Sequence, residues 1–454
     1  MNQILDWAQM AATNIGLFGV SFLAVLGLLV FVHEWGHYII ARACGVKVDT
    51  FSIGFGKEIW GFNDKHGTRW KVSLIPLGGY VKMFGDTDPA SAGHVEGKEL
   101  TEGERSVAFF AKPVGQRAAV VFAGPAINFI FAILVLAILY IFVGKPITPP
   151  QAMGVEVGGA ADKAGFQPHD IVKSINGREI ESFDNIKREV MIALDTEMNF
   201  VVERDGKEIE LKATPKVVEE EDRFGFKHQL GFLGLIGPAN GLDVTAISKI
   251  NGRETGEDVN VIRQALVENM NKDLVLEMTG GKPGSSMRVR PPADLNKKIG
   301  DEKSPEHNAL ILGVRPGDEI RKMNPLMAVG EAVVDTGQII SDTLKALGQM
   351  ITGTRSASEL GGIIRIGAIA GDMAERGMIA LATFTALLSI NLGLINLFPI
   401  PMLDGGHLVF YALEALKGKP LSEKVQEYAF RFGLVVLVSL MVFANLNDIV
   451  QLIF

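Results

Sequence analysis

Residues 33–37 read His-Glu-Trp-Gly-His, and this spacing could bind a metal ion and activate a water molecule. On a helix, residues four apart lie one turn above each other, so His33 and His37 can present both imidazoles to one zinc ion. Glu34 points to the same side and could take a proton from a metal-bound water. The pattern His-Glu-x-x-His is only moderately specific as a text string, so its setting must decide.

The motif lies at the end of an apolar stretch, IGLFGVSFLAVLGLLVFV, which begins at Ile15 and contains no charge. A helix over about residues 15–41 is long enough to cross the ~30 Å hydrocarbon core of a bilayer. Ionisable residues in such a helix are costly in lipid and are functional candidates by default. The alternative is that they only mark the point where the helix meets water. The first residues lack a basic region and no small-residue cleavage site follows, which favours a retained span over a signal peptide.

A second candidate site follows in the third expected span, where residues 391–406 read NLGLINLFPIPMLDGG. Pro399 and Pro401 cannot continue a helix, so the span should unwind just before them. Unwound backbone inside a membrane is tolerated only where protein or water satisfies it, as at ligand and ion sites. Asp404 is therefore a candidate third metal ligand, because three protein ligands plus water form the open arrangement of catalytic zinc sites. The alternative is a surface turn with an incidental aspartate.

Composition supports several membrane spans plus a soluble part. The chain has 454 residues, 48% hydrophobic and 21% charged, with a mean hydropathy of +0.24. The net charge of −8 argues against nucleic acid as a partner, and the single cysteine, Cys44, excludes an internal disulfide framework. Further spans are expected at about residues 118–143 and 432–454. The first of these carries Gly124, which allows close helix packing, and Asn128, which needs a partner in the membrane and could help hold the first helix.

Charge placement predicts the topology. Basic residues are frequent between residues 42 and 117 and between 417 and 431, whereas residues 1–14 have none. By the positive-inside rule, both of these connections lie in the cytosol, and both termini and the region between the second and third spans lie outside. His33, His37 and Asp404 then lie at similar depth, toward the cytosolic side. This agreement favours a single shared metal site.

Two β-rich runs follow the first span. Residues 48–62 and 68–86 carry β-branched and aromatic residues in rough alternation, which predicts a hairpin around residues 63–67 with further short strands. Pro76, Gly78 and Gly79 interrupt this pattern. The alternative is an ordinary cytosolic sheet, but the apolar character favours an element that dips into the membrane, whose exposed edge could pair with an extended substrate. The polar residues from Asp86 to Lys112 are expected to form a solvated loop.

The region outside the membrane is expected to form two small β-rich modules. Its first copy, from Met153 to about Val218, reads strand, short helix, strand, turn at Asn176-Gly177, helix and hairpin. The segments SINGRE and KINGRE, roughly 75 residues apart, suggest a repeat. An amphipathic helix over residues 324–351 could lie on the membrane or dock on the modules. The glycine-containing residues 358–371 are expected to form a pliable or re-entrant connection.

Together these motifs resemble the site-2 protease family of intramembrane zinc metalloproteases, closest to bacterial members with tandem periplasmic PDZ domains. The resemblance is carried by HEWGH, GFG, PLGGYVKMFGD, GPxxN and NxxPxPxLDGG. It implies a multi-span α-helical membrane protein with four transmembrane helices, a membrane-associated β-hairpin and two periplasmic PDZ-like α+β modules. It also implies that His33, His37 and Asp404 bind Zn²⁺ and that Glu34 is the catalytic carboxylate. Residues implied to hold substrate are Asn391, Asn396, Pro399, Pro401, Gly54 and Gly56.

The implied activity is hydrolysis of a peptide bond within the transmembrane segment of single-span proteins, such as an anti-sigma factor or a signal-peptide remnant. The implied location is a bacterial inner membrane, with the modules in the periplasm and peptide tails binding at the first module. The second module lacks a counterpart of ADKAGFQPHD, and Gly362-Ile363 stands where relatives often have Gly-Pro. The expected divisions are 1–45 (first transmembrane helix), 46–112 (hairpin and cytosolic loop), 113–145 (second transmembrane helix), 150–235 and 236–323 (modules), 324–375 (amphipathic helix and connection), 376–406 (third transmembrane segment) and 407–454 (cytosolic loop and fourth helix).

Two other functions fit parts of the pattern. A non-catalytic membrane scaffold would bind peptide tails and keep a vestigial metal site, but the intact ligand set and Glu34 count against it. A metal-ion transporter would also carry histidine and aspartate in its spans. It should, however, offer ligands along a route through several spans, whereas these cluster near one face.

Overall fold

The computed structural model describes residues 2–85, 101–256, 258–279, 286–304, 306–314 and 320–453. Among these residues, four helical segments are long and apolar enough to cross a membrane: Phe18–Ala43, Val114–Phe142, Met378–Asn396 and Lys424–Ile453. The helices are α1 (Asn2–Ala43), α2 (Glu102–Val107), α3 (Val114–Phe142), α4 (Ala160–Ala164), α5 (Phe183–Ile192), α6 (Val259–Glu268), α7 (Pro325–Thr352), α8 (Ile363–Glu375), α9 (Met378–Asn396), α10 (Asp404–Lys417) and α11 (Glu423–Ile453).

The strands are short outside the first hairpin. They are β1 (Val48–Asn63), β2 (Arg69–Met83), β3 (Lys145–Pro146), β4 (Gly154–Glu156), β5 (Ile171–Ile175), β6 (Arg178–Glu179), β7 (Met198–Arg204), β8 (Lys207–Ala213), β9 (Lys216–Glu221), β10 (Lys227–Phe232), β11 (Leu235–Ile236), β12 (Ala239–Asp243), β13 (Ile247–Ile250), β14 (Arg253–Glu254), β15 (Leu274–Met278), β16 (Ser286–Val289), β17 (Ala309–Leu312) and β18 (Ile320–Arg321).

Helix α3 is the centre of the helical part and packs against α1, α7, α9 and α10. Small residues make this possible: a Cβ placed on Gly36 of α1 would lie 2.4 Å from the carbonyl oxygen of Ala123. On the other side, a Cβ on Gly393 of α9 would lie 3.0 Å from the carbonyl oxygen of Pro125. Without side chains at these points the helix backbones approach closely, as the sequence predicted for Gly124 and its neighbours.

Strands β1 and β2 form the predicted hairpin, in which each strand is bent and continuous where further short strands were expected. Residues 50–53 of β1 pair with residues 79–82 of β2 and also with residues 69–72. Strand β2 continues through Pro76 and Gly79 to Met83 instead of ending there, because Gly78 adopts φ +105° and bends the strand. Several large apolar side chains of the hairpin are exposed, among them Phe55, Ile59, Trp60, Phe62 and Leu74.

The region between α3 and α7 contains the elements that the sequence predicted, with the turns at Asn176-Gly177 and Asn251-Gly252 at positive φ. One sheet has the order β6-β5-β7-β8, and a second has the order β11-β4-β16-β15-β13-β14. Strand β4 comes from the first stretch of sequence and pairs with β16 of the second. The two stretches are therefore joined by one shared sheet, although each has its own buried apolar cluster.

Helix α7 forms as predicted, with Asn324 as its N-cap, and buries Ala328 and Ala332 against α3 and α9. Residues 358–371 differ from the expected pliable connection: a short 3-10 turn leads into α8. The backbone N–H groups of Gly362 and Arg365 both donate to Asp448 Oδ2 at 2.9 Å, so α11 supplies the cap that starts α8.

Two further predictions need adjustment at their boundaries. The last span begins at about Lys424 and is longer than the predicted 432–454. The predicted loop over 86–112 is helical in its described second half, where Thr101 and Glu104 form a capping box at the start of α2. Residues 86–100 lie outside the described part of the chain.

Candidate active site

Three side chains from two distant parts of the chain converge between α1, α3 and α10. The Nε2 atoms of His33 and His37 lie 3.3 Å apart. Asp404 Oδ2 lies 3.2 Å from His33 Nε2 and 3.5 Å from His37 Nε2. In the described part of the chain, this is the group of histidine and acidic side chains whose spacing suits a metal ion. The three residues predicted as ligands are thus adjacent.

These donors fit a zinc ion. With zinc–ligand bonds of about 2.0–2.1 Å, two ligands of a tetrahedral site lie roughly 3.3–3.4 Å apart, which matches the three distances. Asp404 Oδ2 is buried and has no hydrogen-bond partner, so a cation would satisfy it. Space for an ion is kept on the α3 side, where a Cβ on Gly124 would lie only 2.3 Å from His37 Nε2.

The other ring nitrogens of both histidines face α3. His37 Nδ1 lies 2.9 Å from the carbonyl oxygen of Val120, to which it can donate its proton. His33 Nδ1 lies 3.0 Å from the side-chain amide of Asn128, which is fully buried. Such partners fix the orientation of both rings, and each Nε2 lies beside Asp404. Asn128, predicted as a support for the first helix, therefore contacts one of the candidate ligands directly.

Glu34 lies beside these three side chains, and the hairpin packs against it. The backbone N–H of Val81 on β2 is directed at its carboxylate. Gly79 on the same strand passes close to the Glu34 side chain, since a Cβ there would lie 3.2 Å from Glu34 Cγ. A carboxylate beside a metal-bound water is suited to general-base chemistry. No sequence pattern pointed to Val81, because its position beside Glu34 depends on how β2 lies against α1.

Asp404 is placed by a tightly packed turn. Helix α9 ends at Asn396, the chain turns through the two prolines, and Asp404 is the first residue of α10. Met402 adopts φ 87°, an unfavourable conformation for a residue with a side chain, which indicates local strain. Gly405 is required for space, because a Cβ there would lie 2.3 Å from the carbonyl oxygens of Leu397 and Phe398.

The residues predicted to hold substrate lie on three elements: helix α9, the turn that follows it, and the bend of β1. Asn391 on α9 accepts a hydrogen bond from Thr343 Oγ1 of α7 at 3.3 Å. Asn396 ends α9, and Pro399 and Pro401 lie in the turn that leads to Asp404. Gly54 and Gly56 lie at the bend of β1, both at positive φ, and their nearest neighbour is Ile75 of the same hairpin.

Two histidines and a glutamate on one membrane-type helix, with an aspartate from the start of α10 just after another such helix, are the site of an intramembrane metallopeptidase. The comparison with known families agrees. The chain belongs to peptidase family M50, the site-2 proteases, whose pattern matches residues 21–440.

Individual relatives are similar over nearly the whole chain. A protein of Agrobacterium fabrum named for zinc metalloprotease activity is 38% identical over 435 residues, 96% of each chain. The regulator of sigma-E protease RseP of Escherichia coli K12 is 34% identical over 457 residues, 95% of this chain and 98% of its own. The regulator of sigma E protease of Haemophilus influenzae is 35% identical over 454 residues, with the same coverage of 95% and 98%.

The protein is therefore an intramembrane zinc metalloprotease, as predicted, and its cofactor is Zn²⁺. Its apolar helices and its relatives identify it as a membrane protein that acts on membrane-protein substrates.

Proposed function

We propose that His33, His37 and Asp404 hold the zinc ion and that Glu34 is the general base of peptide hydrolysis. The observation that carries this proposal is the convergence of the three donor atoms within 3.5 Å of one another, next to the Glu34 carboxylate. The donor set of two imidazoles and one carboxylate leaves a fourth position open, as in catalytic zinc sites.

When bound, zinc lowers the pKa of a coordinated water to about 7 and polarises the scissile carbonyl. Glu34 accepts the proton from the attacking water and returns it to the leaving amine. Val120 and Asn128 keep the two imidazoles oriented during this exchange. The side chains of the three ligands are 10–17% exposed, so the reaction takes place in a site that largely excludes bulk water.

The substrate is a transmembrane segment of a single-span protein that unwinds at the cleavage point. A helical substrate hides its carbonyl groups in internal hydrogen bonds, and extended protein backbone nearby can replace them. Two such segments flank the ligands: residues 79–83 of β2, beside Glu34, and the turn that contains Pro399 and Pro401, before Asp404. Asn391 and Asn396 on α9 are proposed to hold the substrate, and Gly54 and Gly56 allow the bend of the hairpin.

The two β-rich modules, over residues 150–235 and 236–323, are PDZ-like and select substrates, with peptide tails binding at the first module. Their element order supports this assignment, since each contains strands, a tight Asn-Gly turn and one helix of ten residues, α5 or α6. The exposed apolar hairpin, with its neighbouring loop, forms the membrane-associated unit 46–112.

The protein lies in a bacterial inner membrane, with the modules in the periplasm and the zinc site toward the cytosolic side. The excess of basic residues in the segments 42–117 and 417–431 supports this orientation. The remaining units are 1–45, 113–145, 324–375, 376–406 and 407–454, each built around one of the membrane or connecting helices.

The test is proteolysis of a single-span substrate in liposomes by the wild-type protein and by Glu34→Gln. We expect Glu34→Gln to keep one zinc per chain and to cleave about 10²–10⁴-fold more slowly, because general-base catalysis contributes that much. Glu427→Gln is the matched control, since Glu427 is exposed on α11 and pairs only with a neighbouring arginine in the described structure. A substrate with glycine or proline near the cleavage point should be cut faster than a poly-leucine one.

Two results would contradict the proposal. Normal cleavage by Glu34→Gln would remove the catalytic role of Glu34. Zinc binding by the wild-type protein with no cleavage of any single-span substrate would favour the scaffold function instead.

A further inference from the structure

The segment Gly79–Met83 is the outer edge of the hairpin on the side of α1. Its residues 79–82 pair with residues 50–53 of β1, which are also paired with residues 69–72. The described strands therefore cover one edge of this segment only. The other edge is not paired with any described strand, and the N–H of Val81 is directed at the Glu34 carboxylate.

Gly79 determines how closely this edge can approach α1. A Cβ on Gly79 would lie 2.6 Å from Val30 Cγ1 and 2.7 Å from the carbonyl oxygen of Ser52. The same Cβ would lie 3.2 Å from Glu34 Cγ. Gly79 does not adopt a positive φ. The position therefore requires glycine for space and not for its backbone conformation.

Val81 and Gly79 both lie beside the side chain of Glu34. Glu34 has three rotatable bonds, and a free carboxylate would spread over several positions around the metal site. The backbone of Gly79 lies against the Cγ of Glu34 and limits the rotamers open to this side chain, and the Val81 N–H is directed at the carboxylate at its end. A base must lie within hydrogen-bond distance of the proton it takes, and an error of about 1 Å can cost about 10²-fold in rate.

We propose that Gly79 and Val81 are positioning residues for the catalytic carboxylate. Their contact with Glu34 holds its side chain in one rotamer. This proposal rests on the role given above to Glu34. It assigns to the hairpin a task within the chemical step, separate from the pairing of its edge with substrate. The two tasks affect different kinetic constants, since loss of positioning lowers kcat, whereas loss of substrate pairing raises KM.

Two pairs of variants separate these roles. Gly79→Ala adds the interfering Cβ, and Gly115→Ala is its control, because a Cβ on Gly115 meets nothing within 4 Å. Val81→Pro removes the N–H, and Val81→Ala is the conservative variant that shortens the side chain, keeps the N–H and should rescue the rate. Proline is tolerated at a strand edge whose N–H points away from the ladder, so the hairpin should still form.

The experiment measures kcat and KM on a single-span substrate in liposomes, together with zinc per chain. We expect Gly79→Ala and Val81→Pro to lower kcat about 10–100-fold, with KM within about threefold of wild type and one zinc per chain. Gly115→Ala should keep kcat within about twofold to threefold of wild type, and Val81→Ala should recover most of the kcat that Val81→Pro loses.

Three results would overturn the proposal: wild-type kcat in both test variants, a change confined to KM, or loss of zinc from both, which would indicate general packing. Glu34→Gln is measured in the same assay. If that variant is active, the catalytic role of Glu34 is wrong. If it is inactive while Gly79→Ala and Val81→Pro are fully active, only the positioning role is wrong.

Discussion

The side-chain amide of Asn128 on α3 contacts the Nδ1 atom of His33 on α1 at 3.0 Å, across 95 residues of sequence. When His33 binds a metal through Nε2, its Nδ1 carries the proton and must find an acceptor. Asn128 Oδ1 is buried without a partner. A 180° flip of the Asn128 side-chain amide brings this oxygen to His33 Nδ1. The oxygen then accepts the proton on Nδ1, so that both atoms have a partner. Zinc binding therefore selects one orientation of the Asn128 amide.

Replacing Asn128 should weaken zinc binding. We expect Asn128→Leu to lower zinc affinity about 10–100-fold, the usual effect of removing the partner of a metal-bound histidine. Asn128→Asp keeps an acceptor for the His33 N–H and should retain most of the affinity. Competition with a chelator of known affinity measures both. Equal zinc affinity in wild type and Asn128→Leu would show that the contact does not support the ligand.

Gly124 is predicted to be essential for metal loading. A Cβ at this position would lie 2.3 Å from His37 Nε2 and 2.9 Å from His33 Cε1, so Gly124→Ala must displace the imidazoles. We expect Gly124→Ala to bind well below one zinc per chain, and its proteolysis to fall by about 10²-fold or more, since misplaced groups lose rate steeply. Mass spectrometry of the purified protein gives the zinc content.

Gly27→Ala is the matched control, because Gly27 lies in the membrane-type part of α1, as Gly124 does in α3, and a Cβ on Gly27 meets nothing within 4 Å. This variant should bind zinc and cleave like wild type. A fully zinc-loaded and active Gly124→Ala would mean that the space beside the histidines is not the metal site.

The hairpin turn should give the protein a local sensitivity to acid. Asp64 accepts hydrogen bonds from Trp70 Nε1 at 3.0 Å and Tyr38 Oη at 2.9 Å, and from the backbone N–H groups of Thr68 and His66. Desolvation raises the pKa of Asp64, but these hydrogen bonds outweigh it and lower the pKa from 3.8 to about 2. Because the folded pKa is the lower one, this stabilisation is complete above about pH 4 and is lost as the pH falls toward 2.

Asp64→Asn should therefore destabilise the hairpin by about 1 kcal/mol at pH 7, a modest value because the side chain is partly exposed. The difference from wild type should shrink as the pH falls below 4. Trp70 fluorescence during thermal unfolding at several pH values reports it. Asp49→Asn is the control, since Asp49 forms a more exposed ion pair with Lys47 in the same hairpin. An unchanged pH dependence in Asp64→Asn would contradict this account.

The sequence was sufficient to predict that His33, His37 and Asp404 converge, and it predicted most elements. His33 and His37 follow from helical spacing, and Asp404 follows from the prolines that unwind its span and from the charge distribution that places it at similar depth. These features are local or depend only on which side of the membrane a segment faces. The turns at Asn176-Gly177 and Asn251-Gly252 were likewise set by local backbone preferences.

What the sequence could not predict depends on rotation and register between elements. The approach of Gly124 to the imidazoles requires the facing angle of α3, and the Val81 contact requires the register of β2 against α1. The pairing of β4 with β16 across the two modules is a long-range contact of the same kind. Residues 358–371 looked pliable because of their glycines, but the Asp448 cap from α11 lets α8 form.

The most direct test of the central claim is zinc X-ray absorption on the purified protein and on Asp404→Ala, with zinc counted per chain. The account predicts one zinc per wild-type chain, with two imidazoles and a further oxygen ligand at about 2.0–2.2 Å and no sulfur. It predicts a lost or altered oxygen shell and weaker binding in Asp404→Ala. An Asp404→Ala spectrum and affinity identical to wild type, or a sulfur ligand from Cys44, would contradict it.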